Sequence, residues 1–216
     1  MIKARIYGKE PRNTVLVHGG PGAAGELAPL AKEISLSIGV VEALQSKKAI
    51  PDLILELKEI IETHSDGPVQ FVGYSWGAWL SFIFAALHPD MVRKLILLSS
   101  GPFDASYAPK IVETRLSRLS EEDKRLLESL EKQLSQSDAN RGEVLLEYGT
   151  LMSKADSFSP ISLKPNDEIH VDEEIYQSVW KEASKLRRSG ELLKYGEKIS
   201  CPVVVIHGDY DSHPIM

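Results

Sequence analysis

Gly73-Tyr74-Ser75-Trp76-Gly77 sets a serine between two flanking glycines, the arrangement a nucleophilic serine needs where a strand turns sharply into a helix. The turn forces the middle residue into a strained backbone conformation, and glycine on either side removes side chains that would collide. The hydroxyl then stands clear of the sheet beside the first helical N–H groups. The bland alternative is an elbow with no chemistry. A second stretch, His18-Gly19-Gly20-Pro21-Gly22, lets the backbone approach a ligand closely while proline fixes the turn. It suits an oxyanion loop, one of whose N–H groups joins that of Trp76 in facing a developing negative oxygen. One such donor is typically worth ~10²–10³ in rate. Read alone, the stretch is also compatible with a tight turn. The lysine of GxxxxGK[ST] and the spacing of GxGxxG are absent, which disfavours nucleotide binding.

Such residues need a scaffold that brings two loops to one end of a sheet. Short β-rich runs alternate with segments of helical period as far as residue 103, a pattern that predicts a parallel sheet with crossover helices. The expected strands are Ile2–Tyr7, Thr14–Val17, Gly39–Leu44, Val69–Val72 and Leu95–Leu98. Helices are expected at Leu27–Ile34, at Pro51–Glu62 with one apolar face, and at Trp76–Leu87, which is apolar nearly all round and belongs at the centre. After Gly101-Pro102 the texture becomes charged and leucine-spaced. Residues 104–198 hold 19 acidic and 15 basic side chains and are expected to form an inserted helical lid, with 1–103 and 199–216 as the core. Ser120 and Asp172 are the expected caps of two lid helices, the second ending near Gly190. Sheet texture returns at Val203–Ile206.

HGGPG after one strand, GYSWG after a later one, a helical insertion, and a strand leading into His207-Gly208-Asp209-Tyr210-Asp211 together resemble the α/β-hydrolase superfamily. The combination of HGGPG with a tryptophan after the nucleophile is most similar to the proline iminopeptidase branch. Related esterases and amidases share both motifs. The resemblance implies an α/β fold, a mainly parallel sheet flanked by helices, and acyl transfer in two steps. Ser75 is then the nucleophile, a histidine the base, and Asp211, fourth in a G-x-x-D turn, the acid that orients the base. Asp209 is the alternative acid. The N–H groups of Gly20 and Trp76 are the expected oxyanion hole.

The same resemblance places the base on a loop after one further strand, in the order serine, acid, histidine. This sequence ends at Met216, five residues after Asp211. Its six histidines stand elsewhere: His18 in the oxyanion loop, His64 and His88 at helix ends, His170 among acidic residues, His207 at a strand end, and His213 just after the acid. The chain is therefore expected to be C-terminally incomplete, nearly inactive as it stands, and to expose Val203–Ile206 as an apolar sheet edge. A non-catalytic remnant that only binds a small ligand is the reading from another class.

Composition narrows the partners. With 25 basic and 31 acidic residues the net charge is −6, which disfavours nucleic acid and anionic membranes. A small-molecule ester or a short peptide is the expected substrate, and no cofactor is expected. No metal-binding spacing such as HExxH occurs, and the lone Cys201 excludes an internal disulfide framework. The N-terminus carries no apolar signal segment, so a cytoplasmic enzyme or binding domain is the default. The acidic residues Asp167, Glu168, Asp172, Glu173 and Glu174 would receive a peptide's amino terminus under the iminopeptidase resemblance, or simply form a solvated helix start. Trp76, Trp79 and Trp180 are either core or pocket wall.

Overall fold

The computed structural model describes residues 3–136, 141–159 and 169–214. Its strands, in chain order, are β1 (Ala4–Tyr7), β2 (Thr14–Val17), β3 (Ala23–Ala24), β4 (Val40–Ala43), β5 (Val69–Tyr74), β6 (Val92–Leu98), β7 (His170–Val171) and β8 (Val203–Ile206). Its α-helices are α1 (Ala28–Ile34), α2 (Ile50–His64), α3 (Trp76–Leu87), α4 (Ala108–Arg118), α5 (Glu121–Ser135), α6 (Arg141–Asp156), α7 (Glu173–Arg188) and α8 (Glu191–Lys194).

Six strands form one sheet in the order β1-β4-β2-β5-β6-β8. All neighbours are parallel except β1, which runs antiparallel to β4. This is the α/β architecture that the alternating pattern predicts. The short apolar run of β2 is buried along its whole length because it lies between β4 and β5. Register fixes the functional end: Val17 pairs with both Ala43 and Gly73, and Tyr74 with Leu98. The glycine-rich loop after Val17 and the serine after Tyr74 thus leave the sheet at the same, carboxyl end. Helix α3 carries Trp76, Trp79, Leu80, Ile83 and Phe84 into the main core against Val15, Phe71 and Leu95. At the sheet edge, β8 pairs with β6, and its four apolar side chains are 38–56% exposed.

The chain divides into two compact units. One comprises Met1–Ala105 with Lys164–His207, the other Ser106–Leu163 with Gly208–Met216. This differs from a single inserted segment at 104–198. Helix α7 belongs to the sheet unit because its face Ile175, Val179 and Ala183 enters the main core, and Glu182 accepts the N–H of Ile50 at the start of α2. The two-residue β7 pairs with β3, an element too short to leave a sequence signal. Asp172 caps α7 as expected from its position, accepting the N–H of Ile175 at 3.0 Å. In the helical unit, Ser120 and Asp123 form a reciprocal capping box on α5, and Leu119, Leu130, Leu151 and Ala155 make a separate core.

Candidate active site

Ser75 sits at φ 51, ψ −114, a conformation that costs a residue with a side chain of order 1–3 kcal/mol and persists only where the surroundings impose it. They do so here. The Ser75 N–H donates to Leu98 O on β6 at 3.0 Å, tying the elbow to the sheet. A Cβ on Gly73 would lie 2.4 Å from Gly77 O, and one on Gly77 would lie 2.1 Å from Val17 O. Both flanking glycines are therefore required by backbone contact, as the motif predicts. Although serine is a favoured helix cap, the side chain of Ser75 makes no capping bond to α3. Trp76 opens that helix, where an N–H has no carbonyl four residues back to bond.

The oxyanion-loop candidate is tied to this helix by a residue that no sequence motif marks. Gln45 follows β4 and is buried. Its Oε1 accepts the Trp76 indole N–H at 2.8 Å, and its Nε2 donates to His18 O at 3.1 Å. The Gln45 backbone N–H donates to His18 Nε2 at 3.2 Å, so His18 carries its proton on Nδ1, which donates to Gly19 O at 3.0 Å. His18 is completely buried, and burial pushes its pKa down to about 4. It is a neutral strut of the loop with both ring nitrogens engaged. Replacing Gln45 by alanine leaves a buried indole N–H and a loop carbonyl without their partner. This should destabilise the protein by about 2 kcal/mol, readable as a lowered urea midpoint, and slow any Ser75-dependent reaction.

Glu26, half-buried, is a second titratable group set against this loop. Its carboxylate accepts the Gly19 N–H, yet burial outweighs that bond and lifts its pKa to about 7. Since the folded-state value lies above the ordinary 4.5, the folded protein favours the neutral acid. Its contribution to stability is complete below pH 4.5 and is lost as pH rises through 7. Glu26→Gln, which cannot ionise, should equal the parent near pH 4.5 and exceed it at pH 8 by about 3 kcal/mol at most. Thermal melts at the two pH values check this.

Among the remaining candidates, Trp76 and Trp79 are each 2% exposed, and Trp180 stacks on Trp79 with centroids 5.8 Å apart at 7°. All three are core or packed against it rather than an open wall. Arg187 lies 5.4 Å over the Trp79 ring. His64 ends α2 and His88 follows α3. His170 is exposed on β7. Cys201 is half-buried, with its thiol pKa raised by burial. Asp167 and Glu168 lie outside the described residues. Ser99, beside the elbow at the end of β6, also has a positive φ of 43°, a strained position the sequence does not announce. Among the described residues, no group of three metal-ligating side chains occurs and no helix is long and apolar enough to cross a membrane.

Asp211 belongs to the helical unit. Its N–H closes the Gly208–Asp211 turn onto Gly208 O at 3.0 Å. Its Oδ1 accepts both the backbone N–H and the Nδ1–H of His213, each at 2.9 Å. Arg115 Nη2 stands 3.4 Å from His213 Nε2. A guanidinium can only donate, so Nε2 accepts and the Nδ1–H tautomer follows. Asp209 is exposed.

Comparison with known proteins agrees with this architecture. The structure is similar to VinJ, with TM-score 0.69 and 17% identity over 98% of this chain and 79% of that one. It is also similar to Est816, described as an N-acyl homoserine lactone degrading enzyme, with TM-score 0.58 and 13% identity over 98% and 80%. The enol-lactonase of Burkholderia xenovorans LB400 superposes with TM-score 0.56 and 20% identity over 95% and 77%. No curated protein sequence matches. At these identities the structural likeness speaks for the fold. The sequence profile of the alpha/beta hydrolase fold spans residues 45–212, taking in the elbow, α3 and the Gly208–Asp211 turn. With the parallel sheet and its serine elbow already in place, that match makes the chain a member of the alpha/beta hydrolase fold family.

Proposed function

We propose that the chain is a serine hydrolase that cleaves a small-molecule ester or a peptide-like amide through an acyl-enzyme. The observation that carries this reading is the backbone of Ser75: a strained serine, enforced by two glycines that tolerate no side chain, whose hydroxyl makes no capping bond to the helix it opens. In the reaction, Ser75 Oγ attacks the substrate carbonyl while a histidine accepts its proton. The N–H groups of Gly20 and Trp76 hold the oxyanion. The carbonyl bond to the leaving group then breaks, and the leaving group takes the proton. Water repeats the sequence on the acyl-enzyme and regenerates Ser75. Asp211 orients the histidine.

The expectation of near inactivity rested on the lack of a base, and Asp211 has a histidine at its carboxylate. The Nδ1–H of His213 donates to Asp211 Oδ1, but its Nε2, the nitrogen that would take the Ser75 proton, accepts from Arg115, so near inactivity remains the expectation that an assay of the 216-residue chain tests. Two structural relatives carry names that refer to lactones, which are cyclic esters, and this supports an ester substrate. Preference for an amino-terminal residue, as in the proline iminopeptidase branch, rests on the pairing of HGGPG with GYSWG. A fluorophosphonate probe, followed by peptide mapping, tests the nucleophile. A nitrophenyl ester assayed beside an aminoacyl nitroanilide tests the substrate class. Labelling at Ser75 with slow turnover of either substrate is the expected result. A protein that neither labels nor turns over removes the enzyme reading and leaves the small-ligand remnant.

A further inference from the structure

The segment that carries Asp211 continues directly from β8, yet it packs with the helical unit, Ser106–Leu163. The reason lies in two arginines of α4. Arg118 reaches the carboxyl end of α6, where Nη1 donates to the carbonyls of Ala155 at 3.1 Å and Asp156 at 2.9 Å. The same guanidinium donates through Nη2 to Tyr210 O, the carbonyl immediately before Asp211. A cation is favourable at a helix carboxyl end, and a planar fork serves several carbonyls at once. Arg115 holds the Asp156 carboxylate in two bonds of 2.6 and 2.8 Å. Asp156 Oδ1 in turn accepts the hydroxyl of Ser212, the residue immediately after Asp211. Ser212 is 1% exposed, so this bond is shielded from water. Tyr210 also stacks on Phe158, with ring centroids 4.1 Å apart at 11°. The residues on both sides of Asp211 are thus gripped by α4 and by the end of α6, while the Asp211 carboxylate faces His213.

We propose that Arg118 and Asp156 are positioning residues for Asp211, so that the helical unit fixes the backbone and orientation of the acid-bearing turn. The proposal rests on the reading of Asp211 as the acid of the Ser75 reaction. Neither residue touches the reacting atoms; each acts through its neighbour in the 210–212 segment.

The test compares Arg118→Lys, Arg118→Ala and Asp156→Asn with the parent 216-residue protein, and uses two readouts. Amide hydrogen exchange should accelerate at residues 210–213 by roughly tenfold or more, while amides of β5 and α3 keep the parent rate. Turnover of the nitrophenyl ester should fall roughly 10- to 100-fold in kcat with KM unchanged, since a displaced catalytic group loses rate rather than binding. Arg118→Lys separates positioning from plain stability. It keeps a cation at the α6 terminus and the parent melting temperature, but loses the fork that reaches Tyr210. Parent exchange rates at 210–213 in all three variants would overturn the latch, and so would faster exchange with parent kcat. The underlying reading fails in a different way: Asp211→Asn with full activity, or a parent without Ser75-dependent turnover, removes the role of Asp211 whatever the exchange shows.

Discussion

Ser75→Ala is expected to abolish fluorophosphonate labelling and, where a histidine serves as base, to lower ester turnover by about 10⁶, leaving only a residual of about 10³–10⁴ over the uncatalysed reaction from binding and the oxyanion donors. The same substitution should leave stability nearly unchanged. Alanine keeps a Cβ at φ 51 and removes only a hydroxyl that makes no capping bond. Ser75→Gly should be equally inactive but more stable, by about 1 kcal/mol or more, because glycine adopts a positive φ without steric cost. The pair of variants therefore asks two questions at one position. Loss of activity in both with a gain of stability in glycine alone means that the strain is maintained for the nucleophile. Parent activity in Ser75→Ala would sink the serine mechanism outright. Parent stability in Ser75→Gly would mean that the elbow stores no strain.

Much of this site is written in local sequence. GYSWG and HGGPG are each short motifs whose turn chemistry is local, although the backbone that crowds Gly77 comes from Val17 and His18, and the parallel register brings the two motifs together, because Val17 and Gly73 pair. The strands and the caps at Ser120 and Asp172 were legible for the same reason: side-chain period and capping chemistry are local. What escaped the sequence is long-range. Gln45 gives no signal, since its importance comes from partners 27 and 31 residues away. An amphipathic helix reads alike whichever core its apolar face enters, so the sequence does not tell that the face of α7 joins the main core. The attachment of the Asp211 turn to α4 and α6 depends on contacts such as Arg118 with Tyr210, 92 residues apart, and no periodicity encodes those. The bare position of His213 after Asp211 did not reveal that its imidazole folds back onto that carboxylate.

Gly77→Ala carries the largest structural consequence expected of a single methyl group in this protein. Gly77 lies in the first turn of α3, and an added Cβ would meet Val17 O at 2.1 Å, His18 O at 2.5 Å and Val17 C at 2.7 Å. All three are backbone atoms, so no side-chain rotation relieves the clash. Either α3 must withdraw from the end of β2, opening the core around Trp76 and Trp79, or the glycine-rich loop after β2 must move away from the helix that it faces. Helix propensity alone would favour alanine by about 1 kcal/mol, and the clash must overwhelm that gain for the expectation to hold. Destabilisation of about 3 kcal/mol or more is expected, at the upper end of what overpacking costs. Any protein that still folds should have lost the distance between the Trp76 N–H and the loop, and with it labelling of Ser75. Gly149→Ala is the matched control. That glycine lies within α6, exposed, with no atom within 4 Å of an added Cβ, so it should show the propensity gain by itself, about 1 kcal/mol of added stability. Urea denaturation of both variants decides the matter. If Gly77→Ala melts like the parent and labels at the parent rate, the close approach of α3 to the end of β2 is not what fixes the elbow.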